Sequence, residues 1–175
     1  MPRLIKDNAI VEDRWTLLRE AASPADVPEG VAAIVPLALW RAERDALRAR
    51  GEIGVWLKAD DDPELLVADV GALPLIAVDF PQFTDGRGYS TARLLREKHG
   101  FTGELRAIGD VLRDQLYYLW QCGFNAFAVR ADRDLEDALK GLTDFSDNYQ
   151  ATWARPVPLF RRRATKPSPS AANQR

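Results

Sequence analysis

A chain of 175 residues, 46% hydrophobic and 29% charged, has the composition of a globular protein. Its length suits one domain rather than two catalytic domains or a complete eight-fold β/α barrel. A single histidine and a single cysteine exclude a multi-histidine metal centre, a thiolate cluster and an internal disulfide, so neither a metal site nor a cofactor is identifiable.

The formal charge of −2 is unevenly spread, because Arg161, Arg162, Arg163, Lys166 and Arg175 gather at the end of the chain and leave the body acidic. No basic face interleaved with aromatics supports that run, so nucleic acid is not an expected partner. The first residues carry charge and no long apolar run; neither a signal peptide nor a membrane span is expected, and the reading is cytoplasmic.

In chain order, Asp7-Asn8 between two short apolar pieces within residues 3–18 predicts a β-hairpin that covers a sheet edge. After a loop from Ser23 to Gly30, the apolar run Val31–Leu37 reads as a buried strand. Leu39, Ala42, Ala46 and Leu47 recur at helical spacing among charged residues, and Gly51 supplies the stop. Ile53–Leu57 and Leu75–Phe80 are the next strands, separated by a short helix or turn at Pro63–Val70.

Ser90 or Thr91 is the expected cap of a helix running to His99, with a strand at Leu105–Ile108 behind it. Asp110 is the expected cap of a helix to Gln121, followed by a strand at Ala126–Arg130 and a helix capped by Asp132 or Asp134 that runs to Leu142. Strands alternating with helices predict an α/β fold with a small, mainly parallel sheet of about five βα units, either an open sheet or a partial β/α barrel, with the hairpin at its edge. One domain over residues 1–160 and a disordered basic tail over 161–175 complete the expectation.

Ligands of parallel sheets bind beyond the carboxyl ends of the strands, where loops converge. Asp79 ends one strand there, and the loop that follows holds Asp85, Gly86, Arg87, Gly88, Ser90 and Thr91, with Arg93 just beyond; glycines, hydroxyls and guanidinium groups suit a small anion. The next strand ends contribute Asp110, Arg113, Gln115 and Arg130. Asp79, Asp85 and Asp110 are the candidates for moving a proton, whereas Cys122 reads as a buried small hydrophobe and His99 as an exposed residue at a helix end.

Three stretches carry a family resemblance: Asp79 to Ser90 (DFPQFTDGRGYS), Gly103 to Gln115 (GELRAIGDVLRDQ) and Cys122 to Phe127 (CGFNAF). They resemble a proteobacterial family classed as domain of unknown function 934, whose genes commonly neighbour that of assimilatory sulfite reductase. The resemblance implies a role in assimilatory sulfate and sulfite reduction, either as an accessory protein, docking on sulfite reductase or another sulfate-assimilation protein, or as an enzyme handling a sulfur oxyanion; the anion site at the strand ends is read from the residues themselves. The residues leave two alternatives open. One is a small-molecule α/β enzyme acting on a sulfur oxyanion or phosphorylated metabolite; the other is an oligomeric interaction module that uses Trp40, Trp56 or Trp153.

Overall fold

The computed structural model describes residues 2–164. The chain opens with β1 (Arg3–Lys6) and β2 (Ala9–Glu12), paired antiparallel through a two-residue turn in which Asp7 and Asn8 take φ of 48° and 63°. Two consecutive left-handed residues match the right-handed twist of the flanking strands, and Asp and Asn tolerate that conformation. Six further strands follow: β3 (Thr16–Leu17), β4 (Ala33–Pro36), β5 (Ile53–Leu57), β6 (Leu75–Phe80), β7 (Glu104–Gly109) and β8 (Ala126–Phe127).

All belong to one sheet in the order β2-β1-β8-β7-β6-β5-β4-β3. Strands β3 to β8 are parallel to one another, and β1 lies antiparallel against β8. The expectation of a small, mainly parallel sheet is therefore corrected: the sheet is mixed and has eight strands. The missing strand was β3, whose two residues are too few to show a period.

Strands β2 and β3 stand at opposite ends of that order, yet only Asp13, Arg14 and Trp15 separate them. Such a link spans at most about 14 Å, so the sheet must curl until its two edges approach one another. The product is a half-barrel. Trp15 fills its concave face, packing with Ile34, Trp56, Leu75, Ala77 and Ile108 from four successive strands.

The convex face carries the larger core. There Val35, Val55, Ile76, Val78 and Leu105 meet Leu39, Trp40 and Leu47 of α1 (Leu37–Arg48), Ala92 of α2 (Arg87–Arg93), Leu116 and Leu119 of α3 (Arg113–Gln121), and Ala138 of α4 (Leu135–Lys140). The strands expected at 53–57 and 75–80 stand at those bounds, whereas that expected at 126–130 shortens to two residues. Leu159–Ala164 form a short helix, α5, at the start of the stretch expected to be disordered. Residues 165–175 of that expected tail lie outside the described residues.

Candidate functional site at the carboxyl rim

Asp79 is the penultimate residue of β6, in register with Ile108 on the concave side. Arg19, two residues beyond β3, reaches it: Nη2 donates to Asp79 Oδ1 at 2.8 Å while the guanidinium lies 5.3 Å above the Trp56 ring. Two strands separate β3 from β6 in the sheet, so this contact exists because the sheet curls.

At the end of β7 the backbone of Gly109 turns with φ of 93°, and a Cβ there would stand 2.4 Å from the Phe80 carbonyl oxygen. Only glycine allows that approach. It lets Asp110 N–H donate to Phe80 O at 2.7 Å and aims the Asp110 carboxylate across the rim. Asp110 Oδ2 accepts Phe83 N–H at 2.8 Å, and Oδ1 accepts Arg130 Nη1 at 2.9 Å. Arg130 also donates through Nε and Nη2 to Asp132, at 2.9 and 2.7 Å.

These groups surround a cleft of about 450 Å³ lined by Arg19, Asp79, Pro81, Gly109, Asp110 and Arg130. The Arg19 and Arg130 side chains retain 40% and 39% exposure, Arg19 tethered by Asp79 and Arg130 by both Asp110 and Asp132. Arg130, together with the Phe83 amide, holds the Asp110 carboxyl below the usual carboxylate range. Asp132 first and Asp110 second push the Arg130 guanidinium upward.

Of the residues singled out in the sequence, Asp79, Asp110 and Arg130 come together here. The glycine-rich loop does not line the cleft. Arg87 turns back on Asp85, with Nε–Oδ1 of 3.0 Å and Nη2–Oδ2 of 2.6 Å, and this pairing holds the Asp85 carboxyl low. Asp85 Oδ1 also accepts Arg87 N–H at 3.2 Å, which starts α2 ahead of the expected cap. Ser90 and Thr91 therefore lie inside the helix, with Thr91 Oγ1 donating to Arg87 O.

Gly86 precedes the helix, and Gly88 is buried where a Cβ would come within 2.6 Å of the Phe80 ring, so its smallness serves packing. Arg93 pairs with Glu97 one turn on. Arg113 bridges to Asp137 and Asp144, tying α3 to α4. Gln115 accepts Leu112 N–H through Oε1 and reaches Phe83 O through Nε2.

That reach makes Leu112, not Asp110, the start of α3, and it frees the Asp110 carboxylate for the rim. At α4 the expected cap is present, Asp134 accepting Asp137 N–H at 2.8 Å. His99 is not exposed: its side chain is only 5% accessible and its Nε2 lies 3.3 Å from Glu64 Oε1. Cys122 is buried, and burial pushes its thiol up, in keeping with a small hydrophobe. Trp40 and Trp56 are buried in the two cores, which leaves Trp153 as the exposed member of the three expected at an interface.

Arg19 is the rim residue that sequence reasoning missed. It stands 60 positions from Asp79 in a stretch without periodicity, and no local signal marks it. Among the described residues no cluster of histidine, cysteine, aspartate and glutamate suits a metal ion, and no helix is long and apolar enough to cross a membrane.

No curated protein matches the chain. A family described as bacterial protein of unknown function, DUF934, matches residues 54–160, more than half of the chain. The matched span contains Asp79, Asp110 and Arg130 and leaves Arg19 outside. The chain belongs to this DUF934 family.

Proposed function

We propose that this protein is an accessory factor of assimilatory sulfate and sulfite reduction that binds a small oxyanion at the carboxyl rim of its half-barrel and docks on the reductase. The observation that carries the anion reading is the pair Arg19 and Arg130, the first anchored by Asp79 and the second by Asp110 and Asp132, each side chain more than a third exposed, and both bordering one cleft. Guanidinium forks match the planar edges of oxyanions, and anchoring beforehand lowers the entropy lost on binding. Link to sulfur assimilation comes from the resemblance of the three sequence stretches.

Binding is favoured over proton transfer because Asp85 and Asp110 are both held as anions by neighbouring arginines. A general acid or base operates best with a pKa near the working pH, and these two carboxylates are displaced the other way. The test is thermal unfolding with sulfite, sulfate or phosphate. Binding to the native state raises the midpoint by mass action, and Arg19→Ala should diminish that rise while Arg87→Ala should leave it intact. Absence of a rise with every anion ends the binding half of the proposal. Mild crosslinking in cells grown on sulfate should then recover a reductase component; recovery of none ends the docking half.

A further inference from the structure

At the opposite mouth of the half-barrel, around the amino-terminal ends of the parallel strands, lies a second cavity of about 450 Å³ that the rim reading does not use. Its apolar wall is Leu4, Val11 and Trp15. Its polar floor is a row of four charges of alternating sign. Lys6 Nζ meets Glu104 Oε2 at 2.8 Å, Glu104 Oε1 meets Arg106 Nε and Nη2 at 2.7 Å, and Arg106 Nη1 meets Asp13 Oδ2 at 2.8 Å.

The interior of a β/α barrel is ordinarily filled by branched aliphatic side chains. Replacing a buried ion pair by apolar groups of similar volume is often neutral or stabilising, so stability alone does not call for charges at this depth. Glu104 and Arg106, at 7% and 4% side-chain exposure, alternate with Leu105 along β7 and face the concave side. Lys6 is the exposed member, with 39% of its side chain accessible.

A ligand bearing only a cation takes Glu104 from Lys6 and leaves Lys6 without a carboxylate, and one bearing only an anion takes Lys6 and leaves Glu104 with Arg106 alone. A ligand bearing a cation and an anion a few bonds apart can insert into a pair and satisfy both halves. We infer that this cavity binds a small zwitterion of the α-amino-acid class: its ammonium replaces the Lys6 ammonium at Glu104, its carboxylate takes the displaced Lys6, and its side chain lies on Leu4, Val11 and Trp15. The inference is independent of the rim, because none of these residues borders that cleft.

Isothermal titration of the wild-type protein with L-leucine, L-methionine and L-serine provides the test, with the methyl ester (cation only) and N-acetyl derivative (anion only) of each as one-charge controls. The expected result is saturable binding of at least one amino acid, with both its derivatives weaker by about tenfold or more. Lys6→Met, which keeps most of the packing of a half-exposed side chain, should raise the Kd of that amino acid about tenfold, while Arg19→Ala leaves it unchanged. The inference is overturned if no amino acid binds at concentrations up to about 10 mM, if a one-charge derivative binds as well as its parent, or if Lys6→Met binds like the wild type.

Discussion

The two mouths of the half-barrel are built from the same kinds of residue and differ in depth. At the carboxyl rim Arg19 and Arg130 lie at the surface and are tethered by Asp79 and Asp110. At the amino-terminal mouth Arg106 and Glu104 sit almost wholly inside, compensated by Asp13 and Lys6. Water screens exposed charge, so the rim can gain and lose a ligand with little effect on the fold. Buried charge has no such freedom, because any group left without a partner bears its full desolvation penalty. Depth therefore makes one mouth tolerant of substitution and the other fragile.

The contrast is broken most sharply at Arg106. Arg106→Leu leaves Glu104 and Asp13 without their shared cation and should lower stability by about 3–5 kcal/mol. Urea unfolding measures the loss, and the double variant Asp13→Asn/Arg106→Leu should recover part of it, since it removes the carboxylate that the single change leaves without a cation, while Glu104 keeps Lys6. A loss below about 1 kcal/mol in the single variant would mean that depth does not govern this mouth.

Next in size is Gly109→Ala. The added Cβ meets the Phe80 carbonyl in a backbone conformation that alanine disfavours, and a cost of about 1–3 kcal/mol is expected in the same assay. Because Asp110 follows directly, this variant should also weaken the response to sulfite.

Smaller still is the difference between Arg19→Ala and Arg87→Ala. The first should reduce sulfite affinity about tenfold, roughly 1.4 kcal/mol, with unfolding in the absence of anion nearly unchanged. The second, whose guanidinium is occupied by Asp85 outside the cleft, should leave affinity where it was. Equal losses in both would return the glycine-rich loop to the site.

The gentlest effect is that of pH. Asp110 and Asp132 have folded-state pKa values below their unfolded ones, chiefly through Arg130. Their contribution is complete above the unfolded value near 4 and disappears as pH falls through the lower folded values. Thermal midpoints should therefore decline below about pH 4, and Asp110→Asn should decline less over that interval. An unchanged acid profile in Asp110→Asn would show that the rim pairing adds nothing to stability.

Much of this was legible along the chain because it is local. The continuous apolar runs of β5 and β6 announce buried parallel strands, and Asp7-Asn8 announces the turn of the hairpin. Asp79, Asp110 and Arg130 were legible as rim residues because strand ends in parallel sheets converge. Capping was less so. Asp110 has the right chemistry for a helix cap, yet Gln115 performs that task for Leu112; Ser90 and Thr91 are good caps too, but Asp85 starts the helix before them.

Periodicity and turn chemistry, which act over a few residues, settled by themselves the hairpin and the alternation of strands and helices from β4 onward. Closure of the sheet settled the rest. Arg19 meets Asp79 across 60 positions and Arg106 meets Asp13 across 93, and both contacts arise because three residues between β2 and β3 draw distant edges together. No local pattern records such a pairing, since its strength depends on the burial and geometry that only the curled sheet creates.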